Sequence, residues 1–220
     1  MSKQFWGVII AIIVILGGIF WITGKNSPST SSTNSNAKPS QHIEGDGKSG
    51  VTLVEYGDFE CPYCGQFYPI VKQVQAQYNT QIYFQFRNLP LSSVHPNAFA
   101  GARAAEAASL QGKFWEMHDL LYQNQDPNGA TGWVASSNPL DDYFVGFAQQ
   151  IGLNVTQFKT DFASNKVNDT INADVTAFNK TGAQEATPTF FLDGKQIQPG
   201  YSVADFQKYI DPAIAAKTKQ

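Results

Sequence analysis

The 220-residue sequence is poor in sulfur, charge and histidine: two cysteines, two methionines, three histidines, and charged residues at 15%. Two cysteines allow one disulfide at most, which excludes a small scaffold held by a disulfide framework. A chain of this length can bury a core without such staples. There is no second cysteine pair to complete a four-ligand zinc site. The two methionines leave a copper carrier short of soft sulfur donors. The net charge is −3, and no basic stripe exists to neutralise phosphates, which argues against nucleic-acid binding. No internal repeat is visible.

The long apolar run is at the N-terminus. Residues 5–23, FWGVIIAIIVILGGIFWIT, carry no charge. At ~1.5 Å per residue they would span roughly 28 Å, close to the hydrocarbon thickness of a bilayer. Trp6 and Trp21 stand near its two ends, where indole rings favour the membrane interface. A cleaved signal peptide would have a shorter apolar core and small residues at its end; this run ends in Phe20-Trp21-Ile22. The expectation is an uncleaved transmembrane anchor over residues 1–24. Lys3 and Lys25 are too nearly balanced to orient it. Residues 25–50 are rich in Ser, Asn, Pro, Thr and Gly, and such a segment buries too little apolar surface to offset its chain entropy. It reads as a flexible linker, with His42 a solvated linker histidine.

The remainder, residues 51–220, reads as one α/β domain. VTLVEYGDF (51–59) is β-branched and aromatic, as buried strands are. Cys61-Pro62 follows at once, and proline suits the first turn of a helix. Phe67, Ile70, Val71, Val74 and Tyr78 continue at helical spacing, with Pro69 a kink rather than an end. QIYFQFR (81–87) is a second strand, reached by a right-handed parallel crossover. Helical patterns then fill residues 95–182, starting near Pro96 and interrupted by a loop at 126–139. The sheet resumes at Thr189–Leu192, turns at Asp193-Gly194 and returns over Lys195–Gln198. Ser202 caps a closing amphipathic helix. The expected order is β-α-β, helical insert, β-β-α.

Both cysteines lie in one unit, Cys61-Pro62-Tyr63-Cys64. A static disulfide, a metal half-site or a redox pair could produce it. The thiolate is the reactive form of cysteine. Cys61 would stand at a helix N-terminus, where unpaired N–H groups and the helix dipole favour an anion. Cys64 would lie one turn inside. Cys61 is therefore expected to meet substrate and Cys64 to close the internal disulfide. His95, at a helix start, and His118, on the FWEMHDLL helix, read as structural, and Trp115, Phe114 and Phe144 as core.

The element order and the phrases GDFECPYC, HPNAFAGARAAEAA and GKFWEMHDLLY resemble the DsbA-type thiol–disulfide oxidoreductases of bacterial envelopes, above all their membrane-tethered members. The resemblance covers nearly all of residues 51–215. It implies a thioredoxin fold with a helical insertion at about 95–182, preceded by one transmembrane helix. EATPTFFLDG matches the family's Thr-cis-Pro loop, which makes Thr187 and Pro188 substrate-binding residues facing the dithiol. The family's buried acid, six residues before the first cysteine, falls at Glu55, which would move protons to or from Cys64. Within the site, Glu60, Pro62 and Tyr63 tune redox poise. Tyr63 cannot supply the charge that a histidine there would. Glu60 would oppose a thiolate if its carboxylate lay close. Both point to a milder oxidant than the family's strongest. The resemblance implies no cofactor and no metal. It implies reduced exported proteins as substrates, a membrane partner that reoxidises the dithiol, and an N-in, domain-out topology, since disulfides persist outside the cytoplasm. An envelope reductase or isomerase, and a peptide-binding holdase on the same fold, remain as alternatives.

Overall fold

The computed structural model describes residues 36–219. The anchor expected over residues 1–24 lies outside them. Among the described residues no helix is long and apolar enough to cross a membrane.

Five strands form one sheet in the order β1-β3-β2-β4-β5. They are β1 (His42–Glu44), β2 (Val51–Gly57), β3 (Ile82–Asn88), β4 (Thr189–Leu192) and β5 (Lys195–Ile197). β2 and β3 pair in parallel, with Glu55 opposite Phe86, and the other three pairings are antiparallel. The parallel pair needs a crossover, supplied by α1 (Pro62–Tyr78), which runs unbroken through Pro69. β2 is the central strand, covered on both faces, and Val51, Leu53, Glu55, Tyr56 and Gly57 are buried. Between β3 and β4 lie α2 (Ala98–Ser109), α3 (Phe114–Gln123), a π-helical turn (Leu140–Phe144), α4 (Val145–Gln150), α5 (Val155–Phe162) and α6 (Asn165–Asn179). The closing helix α7 (Val203–Lys217) packs back onto α1 and β2. This is the expected mixed α/β fold with a helical insert.

Local chemistry accounts for the boundaries. Asp193 and Gly194 both have positive φ, 48° and 80°, as a tight turn between β4 and β5 requires. The Ser202 side chain accepts from the Asp205 N–H and caps α7. Asn154 and Ser164 cap α5 and α6 in the same way. α2 begins at Ala98, two residues after Pro96.

The last part of the expected linker is folded. Ser40 is buried, and its N–H and hydroxyl donate to the two Asp174 carboxylate oxygens at 2.8 and 2.7 Å. Residues 42–44 pair with Phe84–Phe86 of β3. His42 is no solvated histidine. It stacks on Phe114 with ring centroids 3.4 Å apart, and its Nε2 lies 2.7 Å from Glu106 Oε1. Composition hid this because the partners, Glu106 and Asp174, come from the insert, far along the chain. Asn88 joins the same buried cluster, its side-chain amide donating to both carboxylates.

Candidate active site

The C-terminal end of β2 delivers the site. Gly57 admits no side chain, because a Cβ there would lie 2.5 Å from the Phe86 ring. The chain turns at Asp58, and Cys61 takes an extended conformation as N-cap of α1, with Pro62 in the first turn. Phe59 packs on Phe86 and Tyr122 beneath the turn. The Gln125 amide donates to the carbonyls of Phe59 and Cys61 at 2.7 and 3.0 Å and fixes the loop from the insert side.

Both cysteines are free thiols and both are buried, Cys61 at 3% exposure and Cys64 at 0%. Their acidities diverge. The Cys61 pKa is lowered to about 6, chiefly by a hydrogen bond from the Cys64 thiol and against the effect of burial; a hydrogen bond with Thr187 and the N–H groups of Cys64 and Tyr63 add to it. Cys64 is pushed well above the ordinary thiol range, first by burial and then by the neighbouring Cys61 and Glu55. Glu55 is buried on the central strand β2, and burial raises its pKa to about 8. It therefore holds a proton at neutral pH.

The Thr187–Pro188 peptide is cis, and the Cys61 thiol donates to the Thr187 carbonyl at 3.4 Å. Two segments 126 residues apart thus meet at one sulfur. Beside them lies a groove of about 540 Å³ lined by Tyr63, Phe67, Pro188, Phe190 and Tyr201 among others. Tyr63 is 58% exposed at its rim. The expected site residues Glu55, Cys61, Pro62, Tyr63, Cys64, Thr187 and Pro188 are therefore assembled in one place.

Glu60 is placed otherwise than its sequence neighbour suggests. Its carboxylate accepts the Asn97 N–H at 2.6 Å, at the start of α2, and burial raises its pKa. Two residues escaped the sequence reading. The Asp58 carboxylate is fully buried and accepts from the N–H groups of Glu60 and Leu91, and its Oδ2 lies 2.7 Å from His95 Nδ1. Asp58 had a local signal, three residues before Cys61. His95 had none, being 37 residues from its partner.

The chain belongs to the thioredoxin family, whose model matches residues 37–212. Solved structures share its fold. One is oxidised BdbD from Bacillus subtilis, with TM-score 0.68, 22% identity, and 81% of this chain and 97% of that chain covered. Wolbachia pipientis alpha-DsbA1 gives TM-score 0.64 at 20% identity over 85% of this chain and 98% of that one. A thioredoxin-like oxidoreductase from Silicibacter pomeroyi gives 0.60 at 24%, over 85% and 98%. The fold is thus the DsbA-type variant of thioredoxin. Among curated relatives, Na(+)/H(+) antiporter NhaA 1 of Salinispora arenicola is 37% identical over 174 residues, 79% of this chain. The chain spans about a quarter of that relative's length.

Proposed function

We propose that this protein is an extracytoplasmic thiol–disulfide oxidoreductase that introduces disulfides into exported proteins. The observation that carries the proposal is the split between Cys61, lowered to about 6, and Cys64, raised well above the ordinary range. One sulfur is a good leaving group and the other a poor one, as an exchange catalyst requires. A client thiolate attacks Cys61 of the Cys61–Cys64 disulfide, and Cys64 departs with the electron pair. The protonated Glu55 carboxyl supplies its proton. A second client thiolate then attacks the client sulfur of the mixed disulfide and expels Cys61 as a thiolate. Two electrons pass from client to enzyme, and a two-electron acceptor, assigned to a membrane redox partner, removes them. The Thr187 backbone and Pro188 receive the client segment as an added strand edge. Pro62 and Tyr63 tune the pair.

The lowered Cys61 pKa supports the oxidase direction, because a stabilised thiolate favours the reduced enzyme. The apolar residues 5–23 support a single-pass anchor with the N-terminus inside and the domain outside. An impermeant alkylating reagent applied to intact cells should label reduced Cys61; protection from it would reverse the topology. Oxidative refolding of a reduced protein tests the activity. Wild type should catalyse it and Cys61→Ala should not. Equal effect of the two proteins would make the domain a holdase.

A further inference from the structure

We infer that His95 offsets the buried Asp58 carboxylate that adjoins the Cys61-Pro62-Tyr63-Cys64 unit, and so sets the thiolate stability of Cys61. The inference rests on the dithiol being the reactive centre and adds a tuning residue to it. Asp58 touches both cysteines through its main chain: its carbonyl accepts the Cys61 N–H at 3.1 Å, and its N–H donates to Cys64 Sγ at 3.5 Å. Its side chain holds the His95 ring at 2.7 Å. The carboxylate is fully buried and takes two backbone N–H groups, and its third partner is His95. A buried anion against a histidine favours the imidazolium. The charged or titratable groups that act on His95 are Asp58, Cys61 and Glu60, all acidic, and all raise its pKa against the effect of burial. The ring is 18% exposed, so its charge is only partly screened by water.

The chemistry is simple. A histidine held on the Asp58 carboxylate offsets that negative charge beside the dithiol, which favours S⁻ over SH at Cys61 and thereby the reduced pair. Asp58 orients the ring by accepting the hydrogen bond of its Nδ1–H. His95 is thus a positioning and charge-supplying residue that makes no covalent bond. It performs from the start of the insert the role that a histidine between the cysteines would perform from within α1.

The test uses the full protein and no client. His95→Asn keeps a donor near the Asp58 carboxylate without the charge. The thiolate absorbance of Cys61 should titrate about one unit higher in H95N than in wild type, a tenfold change in the proton equilibrium. With the wild-type value near 6, that change leaves the reduced pair about fivefold less favoured at pH 7, or roughly 20 mV more reducing. Linkage requires the converse. The His95 ring, followed by NMR in wild type, should titrate higher in the dithiol than in Cys61→Ala. An unchanged Cys61 titration in a folded H95N overturns the inference. If H95N does not fold, equal His95 titration in wild type and Cys61→Ala overturns it instead. Neither readout depends on oxidase turnover, so loss of the oxidase reading in refolding assays would be recognised separately.

Discussion

Replacing Glu55 by Gln should stabilise the protein, by an amount that depends on pH in a defined way. The carboxyl is fully buried, and its pKa moves from 4.5 to about 8 because of burial. A carboxyl raised in the folded state binds its proton more tightly there than in the unfolded chain. Below pH 4.5 both states hold the proton and there is no penalty. Between 4.5 and about 8 the unfolded chain releases its proton while the folded one keeps it, and stability falls steadily. Above about 8 the penalty is complete. At ~1.4 kcal/mol per unit, the difference between 4.5 and pH 7 makes it about 3 kcal/mol at neutral pH. Glu55→Gln removes it and keeps the shape. Urea unfolding of the reduced proteins between pH 4 and 8 measures the gap. E55Q should match wild type near pH 4 and exceed it by roughly 3 kcal/mol at pH 7. An E55Q no more stable than wild type at pH 7, or a gap that does not widen with pH, would refute the reasoning. The penalty borne by wild type is consistent with a proton kept for Cys64.

Other outcomes follow from the same geometry. At pH 7 one equivalent of iodoacetamide should alkylate Cys61 and leave Cys64 intact in the reduced protein, as peptide mapping will reveal; equal labelling would contradict the split acidities. The alkylation rate should rise through a midpoint near pH 6 and level off. Asp174→Ala should destabilise the domain by about 1–3 kcal/mol, because the Ser40 and Asn88 donors lose their buried acceptor; unchanged urea unfolding would show that the N-terminal strand is not fastened there. Gly57→Ala should lower the melting temperature, since its Cβ would meet the Phe86 ring at 2.5 Å.

Much of this was legible in the chain. Alternation and composition located β2 and β3, and Asp193-Gly194 located the β4–β5 turn, because these signals are local. Cys61 at a helix start was legible for the same reason. Thr187 and Pro188 reached the site through the resemblance alone, as nothing near them in sequence points to Cys61. One reading went astray because the deciding contact is distant, and two more residues have partners that the sequence does not announce. His42 looked solvated until Glu106 and Phe114 closed on it. His95 was read as structural, and its partner Asp58 lies 37 residues away. Glu60 adjoins Cys61 in sequence but bonds to Asn97 at the start of α2. In each case a polar side chain found its partner across the fold, which hydrophobic periodicity does not encode.

The reduction potential of the Cys61–Cys64 pair, equilibrated in glutathione buffers, tests the central claim most directly. A Cys61 pKa near 6 lies between the ~3.5 of DsbA and the ~7 of thioredoxin. The potential should accordingly fall between ~−270 and ~−120 mV, above thioredoxin's but nearer to it than to DsbA's. A value at or below ~−270 mV would contradict the oxidase account and make the protein a reductase.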